Sequence, residues 1–185
     1  MAKTSSNMVP IGFTAPRFKL KDSVSNKLLS SDELFGKRCT VVMFICNHCP
    51  FVIHVNSEIV NIAKEFQSEN IKFIAISSND VKNYPQDSPE NMKKVAKSEN
   101  YCFPYLYDED QSVAKKYDAA CTPDFYIFDE VKELVYRGQL DDSRPGNGIP
   151  VTGLDVRKAL ESIMNGEAVN PNQKPSIGCN IKWIS

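Results

Sequence analysis

Residues 40–50 read Thr40-Val41-Val42-Met43-Phe44-Ile45-Cys46-Asn47-His48-Cys49-Pro50. The first six are β-branched or apolar almost without interruption, which suits a central strand covered on both faces. A Cys-x-x-Cys pair follows at once. Beyond it Val52, Val55, Ile59, Ile62 and Phe66 recur at helical spacing, which predicts a helix from about the pair to Asn70. Strand, cysteine pair and helix thus follow one another without a linker. Such a pair can hold a metal, staple a fold, shuttle disulfides or reduce peroxides, and the surrounding chain decides between these.

Working outward, strand and helix patterns alternate, which argues for an α/β layer architecture. Phe18-Lys19-Leu20 and Lys27-Leu28-Leu29 flank a polar turn and read as an N-terminal β-hairpin. Ile71 to Ile76 is a second buried strand. Ser88-Pro89 opens a helix, with serine at the cap and proline in the first position. Asp124–Asp129 and Leu134–Leu140 read as an antiparallel pair, and Gly153 to Asn165 as an amphipathic last helix. A single domain is expected over residues 1–165. Residues 166–185 form a tail whose Ile177, Ile181 and Trp183 favour packing on that domain.

The 185 residues carry a formal net charge of −1 and no long basic run, so nucleic-acid binding has no electrostatic footprint. No stretch is apolar enough to span a bilayer, and the first residues lack the apolar core of a signal peptide. The expectation is a soluble cytoplasmic protein, where disulfides tend to be transient. Six cysteines stand at 39, 46, 49, 102, 121 and 179; only Cys46 and Cys49 are close in sequence.

A cysteine at a strand's end, just before a helix, meets unpaired N–H groups and the positive end of the helix dipole. Both favour a thiolate. Cys49, one turn on, can close a small ring with Cys46, so Cys46 reads as the nucleophile and Cys49 as its resolving partner. His48 as an imidazolium would favour the thiolate and make the disulfide a better oxidant. Ala120-Cys121-Thr122-Pro123 leads into a strand far from the pair. Cys121 and Cys179 are accessory thiols to weigh against burial, while Cys39 and Cys102 read as packing residues.

The order strand, Cys-x-x-Cys, helix, strand, helix, Thr-Pro, hairpin, helix resembles the thioredoxin fold. The stretches I-C-N-H-C-P-F-V (45–52), S-S-N-D (77–80), Y-P-Q-D-S-P-E-N-M (84–92), F-P-Y-L-Y-D-E (103–109), C-T-P-D-F-Y-I-F-D (121–129), Y-R-G-Q-L-D-D-S-R-P (136–145) and P-S-I-G-C-N-I-K-W (175–183) carry the likeness further. Together they resemble the redoxin and AhpC/TSA (peroxiredoxin-like) branch, and within it bacterial thioredoxin-family proteins labelled probable thiol-disulfide isomerase. The resemblance implies a central mixed sheet with flanking helices and a peroxiredoxin-like insertion over about 78–108. It implies a cis Pro123 whose neighbour Thr122 pairs with an extended peptide. In a peroxiredoxin alignment Cys49-Pro50 matches the peroxide-reducing cysteine, and Arg137 or Arg144 the arginine beside it. Thr40 stands where thioredoxins carry a buried acid.

The reading that follows is a thiol–disulfide oxidoreductase working through Cys46 and Cys49, with His48 tuning the thiolate and Thr122, Pro123 and Arg137 contacting the substrate. Its partners would be protein or small-molecule disulfides, or peroxides, with a thiol reductant as electron donor. No nucleic acid, membrane or cofactor is expected. The second reading is a thiol peroxidase in which Cys49 is oxidised and Cys46 resolves it. A copper or zinc site is a minor third, since one Cys-x-x-Cys supplies half a zinc site and His48 and His54 both lie near the pair. A peptide-binding module without catalysis is a fourth. No resident metal is expected.

Overall fold

The computed structural model describes residues 3–68 and 70–184. In chain order it contains β1 (Lys3–Ser5), β2 (Lys19–Asp22), β3 (Leu28–Ser30), α1 (Ser31–Leu34), β4 (Cys39–Phe44), α2 (Pro50–Phe66), β5 (Ile71–Ser77) and α3 (Pro89–Ser98). Then follow β6 (Tyr105–Tyr107), α4 (Ser112–Lys116), β7 (Cys121–Thr122), β8 (Asp124–Asp129), β9 (Leu134–Gly138), α5 (Leu154–Asn165) and β10 (Ile177–Asn180). Seven strands form one mixed sheet in the order β3-β2-β6-β5-β4-β8-β9. β4 lies at its heart, parallel to β5 and antiparallel to β8.

Every residue of β4 is buried, as its unbroken apolar run requires. The side chains alternate between two layers, because successive residues of a strand point to opposite faces. Val41 and Met43 join Val52, Val55, Ile59 and Ile62 of α2 and Val156, Ala159 and Leu160 of α5. Val42 and Phe44 join Tyr117, Tyr126 and Phe128, whose rings meet largely edge to face. Burying each of the larger of these side chains is worth roughly 1.5–3 kcal/mol. The two faces thereby fix β4, and with it the cysteine pair, against the rest of the molecule.

α2 stops at Phe66, short of the sequence reading. Gln67 takes an extended backbone (ψ 131°), and the Ser68 hydroxyl accepts the N–H groups of Asn70 and Ile71. The chain has to reverse there so that Ile71 can enter β5.

A second sheet of three short antiparallel strands runs β1-β10-β7. It joins residues near both ends of the sequence to the strand before Pro123: Lys3 faces Cys179, and Cys179 faces Thr122. Two glycines let the segment leading to β10, and β10 itself, lie this close. A Cβ on Gly138 would stand 2.0 Å from the Lys174 carbonyl oxygen, and one on Gly178 would stand 1.9 Å from that of Thr122. Among the described residues no helix is long and apolar enough to cross a membrane.

Candidate active site

Cys46 follows the end of β4, and Cys49 is the N-cap of α2. Cys46, expected against the helix N-terminus, lies one turn before it, since α2 begins at Pro50. Pro50 occupies the first helical position, where a missing N–H loses no hydrogen bond, and so sets the boundary. The N–H groups of Asn47 and His48 turn elsewhere, both donating to Asp87 Oδ1 at 2.8 and 3.3 Å.

Asp87 is fully buried at the end of a 3-10 turn, Pro85–Asp87. Its other oxygen receives Asn79 Nδ2 at 2.8 Å and lies 2.6 Å from His48 Nδ1. The His48 ring also stacks on Tyr84, with centroids 5.5 Å apart. His48 is therefore oriented by an acid on one edge and an aromatic face, while its buried Nε2 meets no hydrogen-bond partner among the described residues. Sequence reasoning missed Asp87. It stands 39 residues from His48, and its only sequence signal is the quoted Y-P-Q-D-S-P stretch.

Thr122 touches both sulfurs of the pair. Its hydroxyl lies 3.3 Å from Cys46 Sγ and its carbonyl oxygen 3.2 Å from Cys49 Sγ. The Thr122–Pro123 peptide is cis. A third sulfur completes the group: Cys179 Sγ on β10 lies 2.7 Å from Cys49 Sγ. All three thiols are buried, and no disulfide joins them.

Cys49 is the central sulfur. Hydrogen bonding from Cys46 lowers its pKa from an ordinary 9.0 to about 5, and Cys179 and the Val52 N–H act in the same direction, against the opposing effect of burial. The Thr122 carbonyl accepts from Cys49 only while that thiol is protonated; the surrounding donors outweigh it. Cys46 is pushed well up, first by its bond to Cys49, then by burial and the Asp87 charge. Burial, with its bond to Cys49, raises Cys179 to about 12. Of the three sulfurs, Cys49 is the one whose surroundings favour the thiolate.

The remaining sequence candidates divide clearly. Cys121 sits one residue before Thr122 with its sulfur 3.8 Å from the Pro123 carbonyl, and burial raises its pKa. Arg137 is engaged away from the sulfurs: Nε donates to the Val9 carbonyl and Nη1 to Gln173 Oε1. Arg144 donates to the carbonyls of Asp141 and Ser143 and to Gln139. His54 Nε2 lies 2.7 Å from Ser143 Oγ. Cys39 is buried in β4, whereas Cys102, read as a packing residue, is exposed. The β7 edge at Thr122, read as open to an extended peptide, is paired with β10. Ligand atoms of Cys46, His48 and Asp87 lie within 4.8 Å of one another, a spacing a metal ion could bridge. The His48–Asp87 contact already uses one atom of each of two of these donors.

A mixed sheet flanked by helices, a Cys-x-x-Cys at the strand-to-helix junction and a cis-proline opposite it define a thioredoxin-like α/β protein. The structure superimposes on the thioredoxin domain of a thiol-disulfide oxidoreductase from Bacteroides vulgatus with a TM-score of 0.58 at 14% identity, covering 74% of this chain and 90% of that one. The AhpC/TSA family profile matches residues 11–137, and the chain belongs to the AhpC/TSA family. It is similar over its whole length to a conserved protein of Geobacillus kaustophilus described as uncharacterized (56% identity, TM-score 0.97, 100% and 97% of the two chains). A hypothetical protein of Sinorhizobium meliloti is also similar (42% identity, TM-score 0.95, 98% and 99%). A comparison with curated proteins returned no match.

Proposed function

We propose that the protein is a thiol–disulfide oxidoreductase of the cytoplasm whose redox couple is Cys46–Cys49. The observation that carries this is the seating of both sulfurs on one residue, Thr122, by its hydroxyl and its carbonyl. Two cysteines separated by two residues, with both sulfurs on one neighbour, are suited to closing a small disulfide ring. In the oxidised form a substrate thiolate attacks Cys46 Sγ. A substrate–Cys46 mixed disulfide forms, the Cys46–Cys49 bond breaks, and Cys49 leaves as the thiolate. A leaving thiol of lowered pKa departs readily, which supports oxidation or isomerisation of thiol partners as the direction of the reaction. Attack of Cys49 on Cys46 Sγ expels the substrate thiolate and re-forms the Cys46–Cys49 disulfide. Attack of a second substrate thiolate on the substrate sulfur instead expels the Cys46 thiolate, forms the substrate disulfide and leaves Cys46 and Cys49 reduced. A disulfide of low molecular weight, such as glutathione disulfide, restores the oxidised pair. His48, fixed by Asp87 and Tyr84, borders the couple and tunes it.

The test is equilibration of the protein across glutathione redox buffers, followed by acid quenching, alkylation and peptide mass analysis. Reversible closure of Cys46–Cys49 within the glutathione range is the expected result, and Cys49→Ser should accumulate a mixed disulfide at Cys46. Thiols that stay open throughout would remove this reading.

The position of Cys49 supports a second reading, peroxide reduction. It carries the lowered pKa and directly precedes Pro50 at the helix start. Against it, both candidate arginines are engaged elsewhere. A peroxide-dependent sulfenate at Cys49 in Cys46→Ser, trapped by dimedone, would favour this reading over the first.

A further inference from the structure

Cys179 is carried into the site by backbone pairing. β10 lies antiparallel to β7 so that Cys179 is opposite Thr122 and Asn180 opposite Cys121. Thr122 therefore addresses three sulfurs: its hydroxyl meets Cys46, its carbonyl meets Cys49, and its strand partner is Cys179. Gly178 makes the approach possible, since any side chain there would collide with the Thr122 carbonyl. The segment is also anchored on both sides of the cysteine. Ser6 N–H donates to the Ser176 carbonyl and Ser176 N–H to Ser6 Oγ. Lys182 N–H donates to Asn79 Oδ1, and Gln111 Nε2 to the Lys182 carbonyl. Asn79 is the same residue that holds Asp87, so the tail's anchor and the support of His48 share a side chain.

We propose that Cys179 is a third redox thiol that pairs with Cys49, so that the disulfide migrates between Cys46–Cys49 and Cys49–Cys179. The proposal rests on Cys46–Cys49 being a redox couple. β10 occupies the edge where an extended thiol substrate would pair with Thr122 and places its own sulfur 2.7 Å from Cys49. In the exchange the Cys179 thiolate attacks Cys49 Sγ. A Cys49–Cys179 bond forms, the Cys46–Cys49 bond breaks, and Cys46 leaves as a thiolate that takes up the proton Cys179 gave up. One disulfide and one thiol stand on each side, so no outside oxidant is consumed. Cys46 is thereby returned to its thiol while the oxidised state is kept on Cys49 and the tail.

The full chain and its Cys46→Ser and Cys179→Ser variants are equilibrated in glutathione buffers, quenched in acid, alkylated, digested without reduction and read by mass. Circular dichroism confirms folding. Cys46→Ser is expected to yield the Cys49–Cys179 cross-linked peptide. The wild type should yield both cross-links, and Cys179→Ser only Cys46–Cys49. If folded Cys46→Ser leaves Cys49 and Cys179 fully alkylatable, or if the wild type never shows Cys49–Cys179, the third-thiol proposal falls. The wild-type Cys46–Cys49 cross-link is read in the same digest. Its presence keeps the redox couple standing when the proposal fails, and its absence removes the couple as well.

Discussion

At the scale of single residues the site is governed by one charge shared among neighbours. Cys49 is the sulfur favoured to ionise because its interactions with Cys46, and after it Cys179, lower its pKa. Absorbance at 240 nm during pH titration of the reduced protein should show one thiolate forming near pH 5, and Cys46→Ala, which removes the main donor, should raise that midpoint. A first ionisation near pH 9 in the wild type would refute the arrangement. The folded value lies below the unfolded one, so the stabilisation is full above pH 9 and is lost as pH falls toward about 5. Asp87 is the other residue on which much depends. Asp87→Ala leaves the N–H of Asn47 and the amide of Asn79 without their acceptor. At about 1–3 kcal/mol per unsatisfied buried group, the loss in urea unfolding should be about 3 kcal/mol. A change below 1 kcal/mol would mean that water replaces the carboxylate.

At the scale of elements, the junction of β4 and α2 was legible because its determinants are contiguous: an apolar run, two cysteines, a proline, then helical periodicity. The hairpins were legible for the same reason. What escaped was the contact geometry made by distant segments. Asp87 reaches His48 from a polar turn with no periodicity, and the Thr122 hydroxyl bonds Cys46 across 76 residues. The end of α2 was overrun because Ser68 terminates it through a side-chain turn that hydrophobic spacing does not register. The approach of β10 depends on a missing Cβ, which a sequence shows only as one more glycine. Gly178→Ala should therefore displace β10, cost about 1–3 kcal/mol as overpacking does, and release Cys179 to alkylation. Unchanged stability and an unreactive Cys179 would contradict that packing.

At the scale of the whole molecule, the two sheets communicate through Asp124, the first residue of β8. It is fully buried, receives Ser6 Oγ at 2.8 Å and Tyr126 Oη at 3.1 Å, and burial raises its carboxyl from 3.8 to about 7. The folded protein then holds this proton more tightly than the unfolded chain. The stabilisation is complete below pH 3.8 and is lost as pH rises through about 7. Asp124→Asn keeps the shape and removes the titration, so wild type minus variant stability should fall between pH 4 and 7. A flat difference would show that Asp124 ionises normally.

The small sheet gives the molecule an order of maturation. Lys3 and Cys179 are strand neighbours, and Cys179 in turn abuts Thr122 and Cys49. During synthesis Cys46 and Cys49 emerge well over a hundred residues before the strand that covers them. Until that strand arrives, the β7 edge and the cysteine pair are bare on the growing chain. The sulfurs are covered only once residues 177–180 have emerged and pair between β1 and β7.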